Sequence, residues 1–391
     1  MNKEILNTKV QKFINDNLKS DITKLILKGS PFANISIQEI AAQISAKIKC
    51  EKKLPTWYSS EDIYFPNRLN IEQTSSEITA KYKANLVSGN SLIDITGGFG
   101  VDAFYFSQKV ENVIHCEIND ELSNIVTYNL KQFNKKNIKT HVGDGLVFLN
   151  KTNKKFNWIY ADPSRRNDTK GKVFLLEDCL PNIPKDLNFL FEKTDNILLK
   201  VSPLLDISSA INELNFVKEI HIVAVENEVK ELLFILEKNY TQHIIIQTIN
   251  FNKTNQQQFC FNLNDINSAT YSEPKTYLYE PNAAILKAGA FQQISYHLKI
   301  DKLHVHSHLY TSTNLIEFPG RRFKIKHCIS YDKKQLKKLI PSKKANITTR
   351  NFPETVSQIR NKINFKDGGN IYMFFTTDIN NKHIVLICEK V

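Results

Sequence analysis

Between residues 91 and 250, short β-rich runs at 92–95, 112–117, 138–142, 158–161, 196–201 and 220–225 alternate with helical stretches such as 121–133. Strands separated by helix-length segments pair in parallel through crossover connections, because a tight hairpin cannot return a chain parallel to itself. The alternation therefore predicts an α/β fold with a doubly wound, mostly parallel sheet. Before it, Ile5, Val10, Phe13, Ile14, Leu18, Ile22, Leu25 and Ile26 recur at threes and fours, the spacing of one helix face. The aromatic segment 57–67 interrupts that pattern and reads as an ordered loop. After about residue 269 the rhythm changes again. A helix is expected over 281–296, an alternating strand over 302–310, a helix over 353–363, and a hairpin of 371–376 with 384–388 around Asn380-Asn381. The expected organisation is a helical region 1–85, the α/β domain 86–268, and two small α+β units at 269–342 and 343–391.

The first strand of the α/β region ends in a carboxylate and enters a glycine-rich turn, Asp94-Ile95-Thr96-Gly97-Gly98-Phe99-Gly100-Val101-Asp102, from which a helix begins. Glycines let the backbone pass close to a ligand, and the helix start offers unpaired N–H groups. The stretch Gly98-Phe99-Gly100-Val101-Asp102-Ala103 also satisfies the dinucleotide fingerprint G-x-G-x-x-A, so the glycines alone leave the ligand open. The series of strand ends narrows it. Asp94 ends the first strand, Glu117 the second, Asp144 follows the third and Asp162 the fourth. All four lie along the carboxyl edge of the sheet, where doubly wound folds bind ligands. S-adenosylmethionine presents a cationic sulfonium, an ammonium, ribose hydroxyls and an adenine amine, all suited to carboxylates, whereas such an edge repels a pyrophosphate.

This arrangement resembles the class I S-adenosylmethionine-dependent methyltransferases, whose first motif is similar to Asp94-x-Thr96-Gly97-Gly98-x-Gly100. The resemblance implies a Rossmann-like methyltransferase sheet. It also implies that Asp94, Thr96, Gly97, Gly98 and Gly100 surround the methionine part of the cofactor, Glu117 the ribose and Asp144 the adenine. The segment 73–77 is similar to a preamble that approaches the cofactor in bacterial relatives, which adds Ser75. Asp162-Pro163-Ser164-Arg165 resembles the D/N-P-P-aromatic motif of amino-group methyltransferases, and these four residues are the catalytic candidates. Ser164 replaces the second proline and Arg165 the aromatic, which leaves the methylated atom open. Arg165 and Arg166 have the geometry to grip phosphate, and Lys200 lines the same edge after the fifth strand.

The C-terminal part resembles the ferredoxin-like and THUMP-like domains of bacterial relatives of RNA cap guanine-N2 methyltransferases. Tyr279-Glu280-Pro281-Asn282 carries the first likeness, and Arg350-Asn351-Phe352-Pro353 with Gly368-Gly369 the second. Charge agrees with an RNA partner. The formal net charge is +12, and residues 321–344 hold ten bases and one acid. Lys333, Lys334, Lys337 and Lys338 are the expected phosphate contacts, and Trp57, Tyr58 or Tyr64 is a candidate stacking partner for a base.

The six cysteines lie far apart without C-x-x-C spacing, so neither a zinc framework nor a disulfide scaffold is indicated, and a reducing cytoplasm fits. No window approaches 18 consecutive apolar residues, so no membrane span is expected. His304, His306 and His308 on one strand would spread over about 13 Å, too far for one ion, and no metal is expected. The expected function is S-adenosylmethionine-dependent methylation of structured RNA. Two alternatives remain: methylation of a small molecule or protein, or RNA binding through a protein with a degenerate cofactor pocket.

Overall fold

The computed structural model describes residues 1–165 and 175–391, with the backbone alone for Arg165. Two compact units divide the chain. One comprises Met1–Lys218 with Leu233–Thr241, the other Glu219–Leu232 with Gln242–Val391.

The first unit opens with helices, as the apolar spacing predicts. Ser36 and Glu39 form a reciprocal capping box at the start of Ile37–Lys53. Ile5, Val10, Ile14, Leu25, Ile40 and Ile44 pack into one cluster. The loop expected over 57–67 is present from residue 60 onward, but its first three residues are helical. Pro55 starts a short helix, Pro55–Ser59, since its fixed φ and missing N–H suit a first helical turn. Trp57 is only 2% exposed, with Phe104 at 4.9 Å and Phe133 at 5.0 Å between ring centroids. Its ring is spent on the core, which removes it as a stacking partner for a base. Tyr64 is half-buried, its hydroxyl accepting from the Asn2 N–H at 3.4 Å.

The sheet follows. Strands β1 (Ser91–Asp94), β2 (Asn112–Glu117), β3 (Ile138–Val142), β4 (Trp158–Ala161) and β5 (Asn196–Val201) stand in the order β3-β2-β1-β4-β5. Every pair among them is parallel, with Leu92 opposite both Val113 and Trp158. Ile93, Ile159, Leu198 and Leu199 are fully buried, the continuous apolar character expected of strands covered on both faces. The order runs outward from β1 in both directions, so the carboxyl ends of β1 and β4 meet at the point where the winding reverses. A two-residue ribbon pairs Ser164–Arg165 with Cys179–Leu180.

In the second unit, the Glu219–Val225 part of β6 (Val217–Val225) pairs in parallel with β8 (Ile245–Phe251). The strand between them in sequence, β7 (Glu228–Glu237), of which only Glu228–Leu232 belongs to this unit, and the antiparallel β9 (Gln256–Asn262) carry no helix-separated signature and escape the sequence pattern. A separate seven-stranded sheet is formed by β10 (Tyr277–Pro281), β11 (Asp301–Lys302), β12 (Tyr310–Ser312), β13 (Gly320–Ser330), β14 (Asn346–Arg350), β15 (Ile371–Thr377) and β16 (His383–Lys390). Its order is β11-β12-β10-β13-β16-β15-β14. The predicted closing hairpin is present as β15 and β16, Thr377 opposite His383. The helix expected over 281–296 is two, Ala283–Ala288 and Phe291–Leu298, separated at Gly289 in the left-handed conformation.

The expected strand over 302–310 is not formed. Leu303 and Leu309 are both fully buried, and the Leu303 N–H bonds to the Leu309 carbonyl at 3.0 Å. Anchoring both ends in one core closes 303–309 into a loop. The three imidazoles consequently do not share a strand face. His304 bonds to Asn351 and Asn381, while His308 stacks on Phe291 at 3.6 Å. Among the described residues no cluster of three or more His, Cys, Asp or Glu side chains could hold a metal, and no helix is long and apolar enough to cross a membrane.

Candidate active site at the carboxyl edge of the sheet

The glycine turn is fitted to its surroundings on one side and open on the other. A Cβ on Gly97 would stand 2.5 Å from the His115 ring and 2.6 Å from the Cys116 carbonyl, so no other residue fits there without displacing β2. Gly98 and Gly100 take φ of +60° and +73°. At Gly98 a Cβ would meet nothing nearer than the Thr96 carbonyl at 3.9 Å. This is the face on which a ligand could approach the backbone.

Glu117, at the tip of β2, is held against that turn. One carboxylate oxygen accepts from the Gly98 N–H at 2.7 Å, the other from the Asn119 N–H at 2.7 Å. Each oxygen retains a lone pair for a hydroxyl donor. Directly after it, Ile118 is 72% exposed, and Val142 and Val147 at the end of β3 and beyond are exposed too. Apolar side chains beside two strand-end acids offer walls for a flat ring. Their sequence signal was their position next to Glu117 and Asp144, which sequence reasoning passed over. Asp144 itself caps the helix Gly145–Lys151, accepting from the Leu146 and Val147 N–H groups at 2.7 and 3.0 Å.

Asp94 is turned inward. It is 1% exposed and accepts from the Thr96 N–H at 3.0 Å. Burial pushes its carboxyl well above the usual range, and the nearby Asp102 and Asp162 charges act in the same direction. The Thr96 hydroxyl bridges strand ends, donating to Asp94 at 3.3 Å and accepting from the Asp162 N–H at 2.7 Å. It thereby ties the glycine turn to the start of the Asp162-Pro163-Ser164-Arg165 segment. The Asp162 carboxylate pairs with the Lys200 ammonium from β5, so the acid is partnered and one-third exposed. Pro163 is buried and Ser164 exposed. The Arg165 side chain and Arg166 lie outside the described residues.

Ser75, expected beside the cofactor, is 5% exposed. It donates to Asp102 at 2.8 Å and accepts from Lys83 at 3.0 Å. Lys83 is fully buried and reaches the second Asp102 oxygen at 3.2 Å, and the Tyr160 hydroxyl donates to Asp102 at 2.8 Å. Burial alone would raise the Asp102 carboxyl, but Lys83, Lys200 and these hydrogen bonds hold it below its usual value. The preamble is also tied down through Glu77, which accepts from the Tyr105 hydroxyl at 2.7 Å. Segment 73–77 thus fastens the helix that follows the glycine turn.

His115 lies beneath the turn, fully buried, and burial depresses its imidazole to about 4. In the unfolded chain it titrates near 6.5, so the unfolded state binds more protons as the pH falls below that value. The stabilisation is complete above pH 6.5 and is lost towards pH 4, by about 3 kcal/mol. Urea unfolding between pH 7.5 and 4.5 checks this: the decline in stability should be shallower in His115→Gln than in wild type. Equal slopes would remove His115 as a source of acid lability.

Over 100% of this chain and 98% of its own, a crystal structure from Porphyromonas gingivalis W83, described as a candidate methyltransferase, superposes with a TM-score of 0.88 at 30% identity. This chain belongs to that family. Residues 277–319 match a ferredoxin-like domain model and residues 320–390 a THUMP-like domain model, so the family joins a methyltransferase-type α/β domain to these two C-terminal domains. Over smaller parts, M. capricolum TrmK bound to S-adenosyl-homocysteine is 16% identical, covering 45% of this chain and 70% of its own, with a TM-score of 0.32. A Streptococcus mutans protein in complex with the same compound is 13% identical over 41% of this chain and 96% of its own, with a TM-score of 0.31. No curated protein matches the sequence.

Proposed function

We propose that this family member is an S-adenosylmethionine-dependent methyltransferase acting on structured RNA. The observation that carries the reading is the carboxyl edge. There the open glycine turn, the Glu117 carboxylate fixed on the Gly98 N–H, and the Asp162–Lys200 pair follow one another along adjacent strand ends.

The residues present fit the cofactor. Glu117 has acceptor capacity for ribose hydroxyls, Ile118 and Val147 flank a place for the adenine, and Asp144 supplies an acceptor beside it. Gly98 leaves room for the methionine part. When bound, S-adenosylmethionine supplies an electrophilic methyl group. Asp162 then accepts a hydrogen bond from the substrate's nucleophilic N–H or O–H and takes up its proton, aiming the lone pair along the line of displacement. Lys200 fixes the direction of the Asp162 carboxylate. Thr96, which receives the Asp162 N–H, sets the distance between that carboxylate and the glycine turn. Pro163 stiffens the segment, and Ser164, Arg165 and Arg166 are the substrate-facing candidates.

The RNA part of the reading is supported by the THUMP-like match and by the basic helix Lys333–Leu339. Leu336 anchors that helix in the core, while Lys333, Lys334 and Lys338 are exposed and Lys337 is half-buried. None of these four lysines pairs with an acid among the described residues.

Titration calorimetry with S-adenosylmethionine and S-adenosyl-homocysteine tests the assignment. Glu117→Ala should weaken both by about tenfold or more, the scale of a lost hydrogen bond to a charged group. Unchanged affinity in the variant, or preferential binding of a nicotinamide dinucleotide, would sink it. Mass spectrometry of RNA nucleosides from cells with and without the gene then identifies the methylated position.

A further inference from the structure

A pocket of about 350 Å³ opens in the C-terminal unit between residues 265–267, the start of helix Phe291–Leu298 and Lys302. Its volume falls at the low end of small-ligand sites, about 300 to 1,000 Å³.

Lys302 is 2% exposed. Its ammonium donates to the Val305 carbonyl at 2.9 Å and lies 5.7 Å from the Phe291 ring centre and 6.0 Å from that of Tyr271. Among the described residues no carboxylate pairs with it. A buried ammonium has three donors to satisfy and a charge to neutralise, and one carbonyl meets only part of that need. Asn267 lines the same pocket, and its buried amide nitrogen has no hydrogen-bond partner. Two under-satisfied donors lining one pocket call for an acceptor-rich anion. Asp265, the acid lining the pocket, has the Asn262 amide as a partner at 3.5 Å. Phe291, backed by the His308 ring at 3.6 Å, adds an aromatic surface, and Gln292 and Gln293 add amides able to meet the edge of a base.

We propose that this pocket binds the phosphate monoester of a nucleotide, its oxygens accepting from Lys302 and Asn267 and its base resting against Phe291. The nucleotide is either free or the terminal residue of an RNA. Desolvation lowers the Lys302 ammonium, and a bound phosphate would act in the opposite direction. The proposal does not depend on methyl transfer, since none of these residues belongs to the glycine-turn site.

Calorimetry on the full chain uses adenosine and uridine monophosphates, the matching nucleosides, inorganic phosphate, and hexanucleotide RNAs with and without a terminal phosphate. The monophosphates should bind at least about tenfold more tightly than the nucleosides, as expected of a charge-assisted contact. Asn267→Leu and Lys302→Met should each remove about that factor. Asn267 stands in a half-exposed segment, so Asn267→Leu keeps the test decisive if Lys302→Met fails to fold. Tighter binding of the phosphorylated hexamer than of the monophosphates identifies an RNA end. The reverse order identifies a free nucleotide. If no phosphate-bearing probe binds at millimolar concentration, or if Asn267→Leu binds them all as wild type does, the proposal is overturned.

Discussion

Asp162→Ala should lower the single-turnover rate of methyl transfer by about 10²- to 10⁴-fold, the usual contribution of a positioned proton acceptor, and leave cofactor affinity within a few-fold. The carboxylate lies beyond Glu117 and Asp144 along the sheet edge and pairs with Lys200, while the backbone N–H of the same residue donates to Thr96 and is kept in the variant. Its removal therefore takes away substrate orientation while the proposed adenosine contacts stay in place. Lys200→Ala should act through Asp162, with a smaller loss of rate as the carboxylate loses the cation that fixes its direction, and Lys200→Arg should recover part of it. Rapid-quench transfer of a labelled methyl group to RNA from cells lacking the gene measures both. A near-normal rate in Asp162→Ala would take the residue out of the mechanism and favour a reading in which this edge only binds.

The largest stability effect is expected at the buried ion pair under the glycine turn. Lys83→Met should destabilise the first unit by about 3–5 kcal/mol, because removing one partner strands a charge in the interior. Asp102 would keep its hydrogen bonds from Ser75 and Tyr160 but lose the cation at 3.2 Å. The double variant Lys83→Met/Asp102→Asn should recover a large part of that loss, since the neutral amide no longer needs a counter-charge. Urea midpoints of the two variants decide it. A single-variant loss below about 1 kcal/mol, the range of exposed pairs, would mean that Asp102 is neutralised by other groups. Because Asp102 stands in the first turn of the helix after Gly100, the same variant should weaken cofactor binding if the turn relaxes with it.

Much of this molecule is written in local sequence. Five of the six predicted strands, β1 to β5, lie within a residue of their expected bounds and β6 starts three residues early, because strands covered on both faces must be apolar throughout and crossover helices must be amphipathic. Asp94, Glu117, Asp144 and Asp162 mark strand ends in the sequence, and parallel pairing alone brings strand ends to one edge. The glycine turn is legible for the same reason: the left-handed backbone at Gly98 and Gly100 is a local requirement.

What the sequence could not decide depends on partners distant along the chain. That Ser75 bonds to Lys83 and Asp102, that Lys200 meets Asp162, and that Trp57 is packed among Phe99, Phe104 and Phe133 are contacts over 8 to 76 positions, and a side chain's periodicity does not say which one it will find. The 303–309 loop makes the point most plainly. Its alternation of apolar and polar residues is a good strand signal, yet Leu303 and Leu309 are both drawn into one core, and burying the two ends outweighs the extended ladder that their spacing alone would favour. Local pattern determined where the elements are and which edge they share. Burial and charge pairing across the fold decided which of the edge residues remain open to chemistry.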